Sequence, residues 1–353
     1  MNFIIRRMEP GEAKEVKKLG IRSFRSLESL FVPTPKEALV AIKDSKIIAA
    51  VIIKIIRSKD NQKTGYIDFA FVDPAFHNQG IGRQIYKASV YYLWRRGCSQ
   101  ITALVKDDNA GSWSIFLKNG FERASLYTLF KCLGKKGFLN HILHTAMAWG
   151  PGCEVYLADS KGDSKQKKNN SLFQIFLYLF VNVLISLLVI FHLGAAQTMI
   201  FAGALFSVLS FGVLTGYLGT VFSKRKWKFR LVNCGFISSI LLALVKAVFP
   251  MIGNWYPIEY EKTKKFKRDL GIQSTINWAG YLVLALASGI LSPYNLFCNQ
   301  VFIICSALMS FRILAVYPFS VFGGTRVFHW NKIVYSVMAL LSIVIVMTRI
   351  FWI

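Results

Sequence analysis

Apolar and polar positions change rhythm once along this chain. Up to about Ser160, short alternating or continuous apolar runs are punctuated by turn residues and amphipathic stretches. From Ser171 onward, uncharged apolar runs long enough to cross a bilayer take over. In the first part, Asn2–Arg6 reads as a strand, and Pro10-Gly11 opens an amphipathic helix to about Phe24. Ala38–Ile42 and Ile47–Ile56 read as a hairpin turning at Asp44-Ser45. Tyr66–Val72 alternates and stops at Asp73-Pro74, a turn signal. Gly80-Ile81-Gly82 leads into a helix from about Arg83 to Arg96, and Gln100–Val105 is another strand. Asp108-Asn109 caps a shorter helix, Ala110–Lys118, which ends at Asn119-Gly120. Phe121–Leu133 reads as the last strand or strand pair. Strands alternating with helices predict a mixed α/β sheet over residues 1–133.

Residues 134–170 are transitional. Their end, Lys161–Asn170, is polar and basic and reads as a flexible linker. Within 171–353, five apolar runs are candidate spans: Leu172–His192, Gln197–Ser223, Gln273–Leu291, Phe297–Pro318 and Val334–Met347. A sixth run, Leu231–Val245, is short and is followed at once by Lys246, so it reads as a span or as a re-entrant segment. The expectation is an all-α membrane domain of five spans plus a re-entrant segment, or of six spans.

Charge follows the same division. The net +25 splits into +10 for residues 1–160 and +15 for residues 161–353. Most of the second excess lies in short loops between apolar runs, the pattern of cytoplasmic loops beside membrane spans. Membrane topology and attraction to anionic headgroups account for it. With no nucleic-acid-binding motif present, a ribosome or nucleic acid is not expected as a partner. None of the six cysteines, Cys98, Cys132, Cys153, Cys234, Cys298 and Cys305, forms a CxxC pair. No disulfide framework or zinc ribbon is implied, and the soluble part fits a reducing compartment. Met1–Pro10 is short and mixed in charge, unlike a cleavable signal peptide.

The strongest chemical signal is His77-Asn78-Gln79-Gly80-Ile81-Gly82-Arg83. It follows a strand and opens a helix. Glycines let the backbone approach a phosphate, and free N–H groups at a helix start hold its negative charge. A Rossmann reading lacks the third glycine and a second parallel βαβ unit. With Ile4–Arg7 and Pro10–Ala13 ahead of it, and Asn109, Ser112, Phe116, Lys118, Gly120 and Phe121 behind it, this segment resembles the GNAT superfamily of N-acetyltransferases. The later residues match N-x-x-A-x-x-x-Y-x-K-x-G-F. The resemblance implies the GNAT fold and acetyl-CoA as co-substrate. It implies that backbone groups of Phe71 and Val72 pair with the pantetheine arm, and that N–H groups of Asn78, Gln79, Gly80, Ile81, Gly82 and Arg83 hold the pyrophosphate. Asn109 would approach the pantetheine, and Phe116 would sit near the thioester.

Phe116 departs from the family pattern. A Tyr there often protonates the leaving thiolate, and Phe has no proton to give. Thiolates are good leaving groups, so the loss need not abolish chemistry. The attacking amine is largely protonated near neutral pH and needs a base. Asp68, the one carboxylate in Tyr66–Val72, is the candidate, against the alternative of an exposed strand residue or a salt-bridge partner. His77 is a second candidate, although its place beside the loop suggests anion contact. Cys98 and Cys132 read as packing residues.

The apolar runs hold almost no ionisable side chains, Arg312 excepted, for which a structural role is expected. The stretch from about Gln197 to Trp352 resembles the site-2 protease family of membrane zinc metalloproteases. Thr215-Gly216-Tyr217-Leu218-Gly219 stands where that family has H-E-x-x-H. Pro318–Lys332 resembles its P-x-x-P-L-D-G segment with trailing W-N-K, and Gly323 falls at the aspartate ligand. Under this resemblance Thr215, Gly219 and Gly323 replace all three protein ligands and Gly216 replaces the general base, so no metal is expected. Taken together, the readings imply a multi-pass protein of the cell membrane with a cytoplasmic N-terminal domain. It would transfer an acetyl group to an amine of a membrane protein, a peptide or a lipid-like or polyamine molecule. A non-catalytic acyl-CoA-binding regulator with a pseudoprotease membrane domain is the alternative. Acceptor choice would lie in loops such as Phe31–Lys36 and Lys59–Gly65.

Overall fold

A computed structural model describes residues 2–24, 27–57, 62–106, 109–145, 153–159, 170–190, 194–232, 235–247, 249–259, 261, 263–315 and 319–352. The chain forms two units. One comprises residues 1–149 and 153–167, the other residues 150–152 and 168–353. The basic run Lys161–Lys168 lies outside the described residues.

The first unit is built on a seven-stranded sheet. Its strands are β1 (Ile4–Arg7), β2 (Ala38–Lys43), β3 (Lys46–Arg57), β4 (Lys63–Val72), β5 (Cys98–Lys106), β6 (Glu122–Ala124) and β7 (Cys153–Asp159), in the spatial order β1-β2-β3-β4-β5-β7-β6. Only β4 and β5 run parallel; the other neighbours are antiparallel. The β2–β3 hairpin turns at Asp44 and Ser45, both left-handed at φ 48° and 59°. That conformation matches the right-handed twist of the flanking strands. The helices are α1 (Ala13–Ser23), α2 (Ile81–Arg95), α3 (Ala110–Lys118) and α4 (Leu126–Thr145), the last interrupted at Gly134.

Adjacent residues of a strand face opposite sides of a sheet, and β4 shows what covers each. Gly65 lies under Leu93 of α2, so closely that a Cβ there would stand 2.9 Å from Leu93 Cδ1. Tyr66 meets His141 of α4 edge-on, with ring centroids 5.6 Å apart. Towards the other end of the strand, Val16 and Leu19 of α1 pack with Val40, Ala50 and Phe71.

Two departures from the sequence reading concern the end of this unit. Phe121–Leu133 is not a strand pair. Only Glu122–Ala124 is extended. Ser125 then caps a helix, its Oγ accepting from Thr128 N at 3.0 Å and its carbonyl from Leu129 N at 2.9 Å. Leu129, Leu133, Gly137, His141 and Thr145 recur every fourth residue on the buried side. That is a helical period, and the capping serine decides it. The second departure is β7, which fits between β5 and β6 and carries the sheet beyond Leu133 to Asp159.

His141 is fully buried, with Nε2 2.8 Å from Thr102 Oγ1. Burial lowers its pKa from 6.5 to about 4. The unfolded chain therefore takes up a proton near pH 6.5 while the folded unit resists until about pH 4. Stability is full above pH 6.5 and falls by about 3 kcal/mol across that window. Hydrogen exchange at Tyr66 and Thr102, corrected for intrinsic rate, should report this loss. The slope should flatten in His141→Gln.

The second unit is mostly helical: α5 (Ser171–Ile190), α6 (Ala195–Val221), α7 (Gly235–Leu244), α8 (Lys264–Leu291), α9 (Leu296–Ile313), α10 (Gly324–Trp330) and α11 (Lys332–Trp352), with one strand pair, β8 (Trp227–Leu231) and β9 (Gly253–Pro257). Among the described residues, four helices, α5, α6, α8 and α9, are long and apolar enough to cross a membrane, and Lys332–Thr348 of α11 is a shorter apolar helix. The strand pair was not foreseen. It joins Leu231 to Gly253 and Trp227 to Pro257. The segment holding α7 thus leaves and returns at one place. A helix of 10 residues is only about 15 Å long, half the hydrocarbon thickness.

Candidate functional site

The centre of the first unit is where β4 and β5 part. Their parallel pairing runs from Lys63↔Cys98 to Ile67↔Ala103 and ends there, while β4 continues to Val72 and β5 to Lys106. The far part of β4 stays paired with β3, up to Ala49↔Val72, and the far part of β5 stays paired with β7. Two strands held on their outer edges and separated on their inner ones leave backbone groups facing a cleft. Such groups must find partners, which an extended amide-bearing ligand could supply.

Asp68 marks the point of separation. Ile52 pairs with Phe69 and Ile53 with Ile67, so Asp68 is the extra residue of a β-bulge. Its carboxylate Oδ2 lies 2.7 Å from Lys54 Nζ on β3. The ammonium approaches without hydrogen-bond alignment, and Oδ2 is buried with no hydrogen-bond donor. The salt-bridge alternative is thus realised. Lys54 also donates to the His144 carbonyl at 3.2 Å. Sequence reading passed over Lys54. Its signal was one lysine inside the otherwise apolar run Ile47–Ile56, at the position paired with Tyr66.

Phe71 and Val72 follow on β4. The Phe71 side chain is buried against α1 and leaves only backbone for a ligand. The Val72 carbonyl is already engaged: His77 Nε2 donates to it at 2.9 Å and Ser23 Oγ at 3.3 Å. This revises the role expected of His77, whose ring braces the loop instead of reaching out to an anion. Asp73 pairs with Arg22 and accepts from Ala75 N, which closes the turn at Pro74–Phe76.

Asn78, Gln79 and Gly80 then carry the chain into α2. Asn78 and Gly80 are left-handed, at φ 63° and 76°. Gly80 caps α2 with no side chain, so the N–H groups of Ile81, Gly82 and Arg83 begin the helix without a capping acceptor. A Cβ on Gly80 would meet no atom within 4 Å. The helix start is open where a phosphate would sit, and Gln79, Gly80 and Arg83 are exposed around it.

α3 supplies the last two expected residues. Asn109 Oδ1 accepts from Ser112 N at 3.1 Å, so the residue caps α3 and only its amide nitrogen remains for a ligand. Phe116 is buried in an aromatic cluster, with centroids 4.6 Å from Tyr86, 5.1 Å from Phe121 and 5.7 Å from Tyr156. Its packing role is plain. Tyr156 lies on β7, the strand the sequence reading missed. Burial raises the Tyr86 phenol above its usual range. Burial also pushes the Cys98 thiol up to about 11 and raises Cys132, against any nucleophilic role for either.

In the second unit, Gly216 and Gly219 sit at a helix crossing. A Cβ at Gly216 would stand 2.9 Å from Trp255 Cδ1, and one at Gly219 would stand 2.8 Å from the Gln273 carbonyl oxygen. Small residues let α6 and α8 approach closely, and a larger side chain at Gly219 would press on backbone. Thr215 Oγ1 donates to the Phe211 carbonyl and receives Asn277 Nδ2 at 3.2 Å. Arg312 is buried, donating to Asn277 Oδ1 at 2.6 Å and to the Leu308 carbonyl at 3.3 Å, with its guanidinium 4.4 Å from the Tyr281 ring centre. Gly323 is left-handed at φ 101°, and a Cβ there would stand 3.1 Å from Ser274 Oγ. Among the described residues, no three His, Cys, Asp or Glu side chains converge as a metal site.

Residues 8–121 match the acetyltransferase (GNAT) family, and the mixed sheet with its flanking helices is the GNAT fold. A mycothiol acetyltransferase of Amycolatopsis mediterranei (strain U-32) is 37% identical over 62 residues, 18% of this chain and 21% of that protein. The chain thus spans about a fifth of the length of the curated relative it matches. Among solved structures, the ribosomal-protein-S18-alanine N-acetyltransferase of Escherichia coli is similar at 17% identity and a TM-score of 0.32, over 48% of this chain and 98% of that one. The paia N-acetyltransferase of Thermoplasma acidophilum, in complex with coenzyme A, is similar at 13% identity and a TM-score of 0.32, over 45% and 99%. The match to the acetyltransferase (GNAT) family model lies wholly in the N-terminal part of the chain. The family match ends before the helical unit begins.

Proposed function

We propose that the protein is a membrane-anchored N-acetyltransferase. It transfers an acetyl group from acetyl-CoA to an amine by direct attack on the thioester. The observation that carries this reading is the parting of β4 and β5 beside an uncapped α2. The cleft offers backbone groups to the pantetheine, and the helix start offers N–H groups to the pyrophosphate. Asp68 is the proposed base for the attacking ammonium. The helical unit anchors the domain and presents a substrate from the membrane, a protein or peptide first among the candidates. In this reading the unit is a pseudoprotease scaffold, on the resemblance of Thr215–Gly219 and Pro318–Lys332 to site-2 protease motifs. The test is mass spectrometry of amine acetylation in cells with and without the chain. No difference in any acetylated amine would leave the regulator reading, which the buried Phe116 favours.

Topology follows from the same proposal. In this reading the segment between β8 and β9 is re-entrant, which the strand pair supports; the basic clusters Lys224–Arg230 and Lys262–Arg268 then share one side, in keeping with the positive-inside rule. Backbone at that depth must be shielded by protein. Cysteine labelling at Lys264 should report the cytoplasmic side, and labelling at Ile353 the outside. External labelling at position 264 would sink the re-entrant arrangement.

A further inference from the structure

A surface helix of a soluble domain normally turns a polar face to water. α2 does so, exposing Arg83, Gln84, Lys87, Tyr91 and Arg95. α4 does not. Opposite its buried stripe, Tyr127 is 74% exposed, Phe130 44%, Leu139 56% and Leu143 65%. The Phe130 and Phe138 rings meet at 5.6 Å across the Gly134 break, so both halves contribute to one outward surface. Among these apolar groups stand Lys131, Lys135 and Lys136, all exposed. Aromatic and leucine side chains interleaved with lysines, and free of acidic residues, fit the boundary between acyl chains and anionic headgroups.

We propose that the outward stripe of α4 docks on the anionic lipid surface of the membrane that the helical unit enters. Two further observations single out lipid over other occupants. The chain carries, among its described residues, four helices long and apolar enough to cross a membrane, and only about a dozen residues separate Asp159 from Ser171, a reach of at most about 40 Å. The domain is thus never far from a bilayer. Those connecting residues are themselves basic, with Lys161, Lys165, Lys167 and Lys168, and add to the attraction. α4 also covers the sheet face that carries Lys54 and Tyr66. Docking through α4 would turn that face, beside Asp68, towards acceptors lying in the membrane surface.

The inference rests on the membrane reading of the helical unit, and the experiment separates the two. The full chain is reconstituted in lipid nanodiscs with a benzophenone amino acid placed at Tyr127, Leu139, Tyr91 or Phe176. Lipid adducts are counted by mass spectrometry. Adducts are expected at positions 127 and 139 in discs containing phosphatidylglycerol, and not at position 91. They should fall about tenfold when Lys131, Lys135 and Lys136 are replaced by glutamate. Adducts at position 176 without any at 127 and 139 overturn the docking while leaving the spans intact. Adducts at 127 and 139 to a second copy of the chain overturn it in favour of self-association. No lipid adduct at 176 overturns the membrane reading and the docking with it.

Discussion

Gly80→Val is expected to weaken coenzyme A binding by about ten- to hundredfold, read by calorimetry on the detergent-solubilised full chain. Gly80 is left-handed at φ 76°. A branched side chain resists that conformation by about 1–2 kcal/mol, which pulls the loop away from its shape. The new side chain meets no protein atom, so it projects into the space in front of α2, over the N–H groups that would hold phosphate. Gly97 provides the control. It sits at the other end of α2 with nearly the same φ, 77°, and an equally open Cβ position. Gly97→Val carries the same strain with nothing to block. Its affinity should stay close to that of the unchanged chain. If Gly80→Val also binds coenzyme A normally, the phosphate site is not where the sequence motif puts it.

What sequence reading recovered and what it missed divide along a physical line. Local signals were enough for β2 and β3 around Asp44-Ser45, for α2 behind its glycines, and for α3 between Asn109 and Gly120. Each of these has its decisive residue within a few positions. The failures needed partners distant in sequence. β7 becomes a strand only by filling the gap between β5 and β6, and the capping Ser125 was overlooked ahead of an apolar run that looked extended. The β8–β9 pair is formed by segments that flank an apolar run, and apolarity alone does not reveal that the two flanks meet. Among candidate site residues, Asp68 stands out in the sequence as the only carboxylate on its strand. Its place at a bulge and its pairing with Lys54 depend on register, which no single strand encodes. Arg312 shows the same limit. Its isolation in an apolar run was legible, but Asn277, on another helix, decides how its charge is accommodated.

Asp68→Asn is expected to lower kcat by roughly a hundred- to ten-thousandfold, the range for removing a general base, with little change in acetyl-CoA affinity. The asparagine fits the bulge and cannot take a proton. The remaining activity should then rise with pH, about tenfold per unit, until the amine is free without help, whereas the unchanged protein should be much less steep. Lys54→Met distinguishes a base from a structural ion pair. The side chain pairs with Asp68 at 2.7 Å but is 37% exposed, so its loss leaves Asp68 in place with a route to solvent. If Asp68 acts on the amine, Lys54→Met retains a measurable fraction of turnover and the pH profile of the unchanged protein. If the pair only holds β3 to β4, the two variants lose activity and thermal stability alike, and neither profile steepens. Phe116→Tyr completes the set. Its ring packs against Tyr86, Phe121 and Tyr156, so an added hydroxyl must find room among those rings. A gain in turnover in Phe116→Tyr, absent from Phe116→Tyr combined with Asp68→Asn, would tie both positions to one reaction centre.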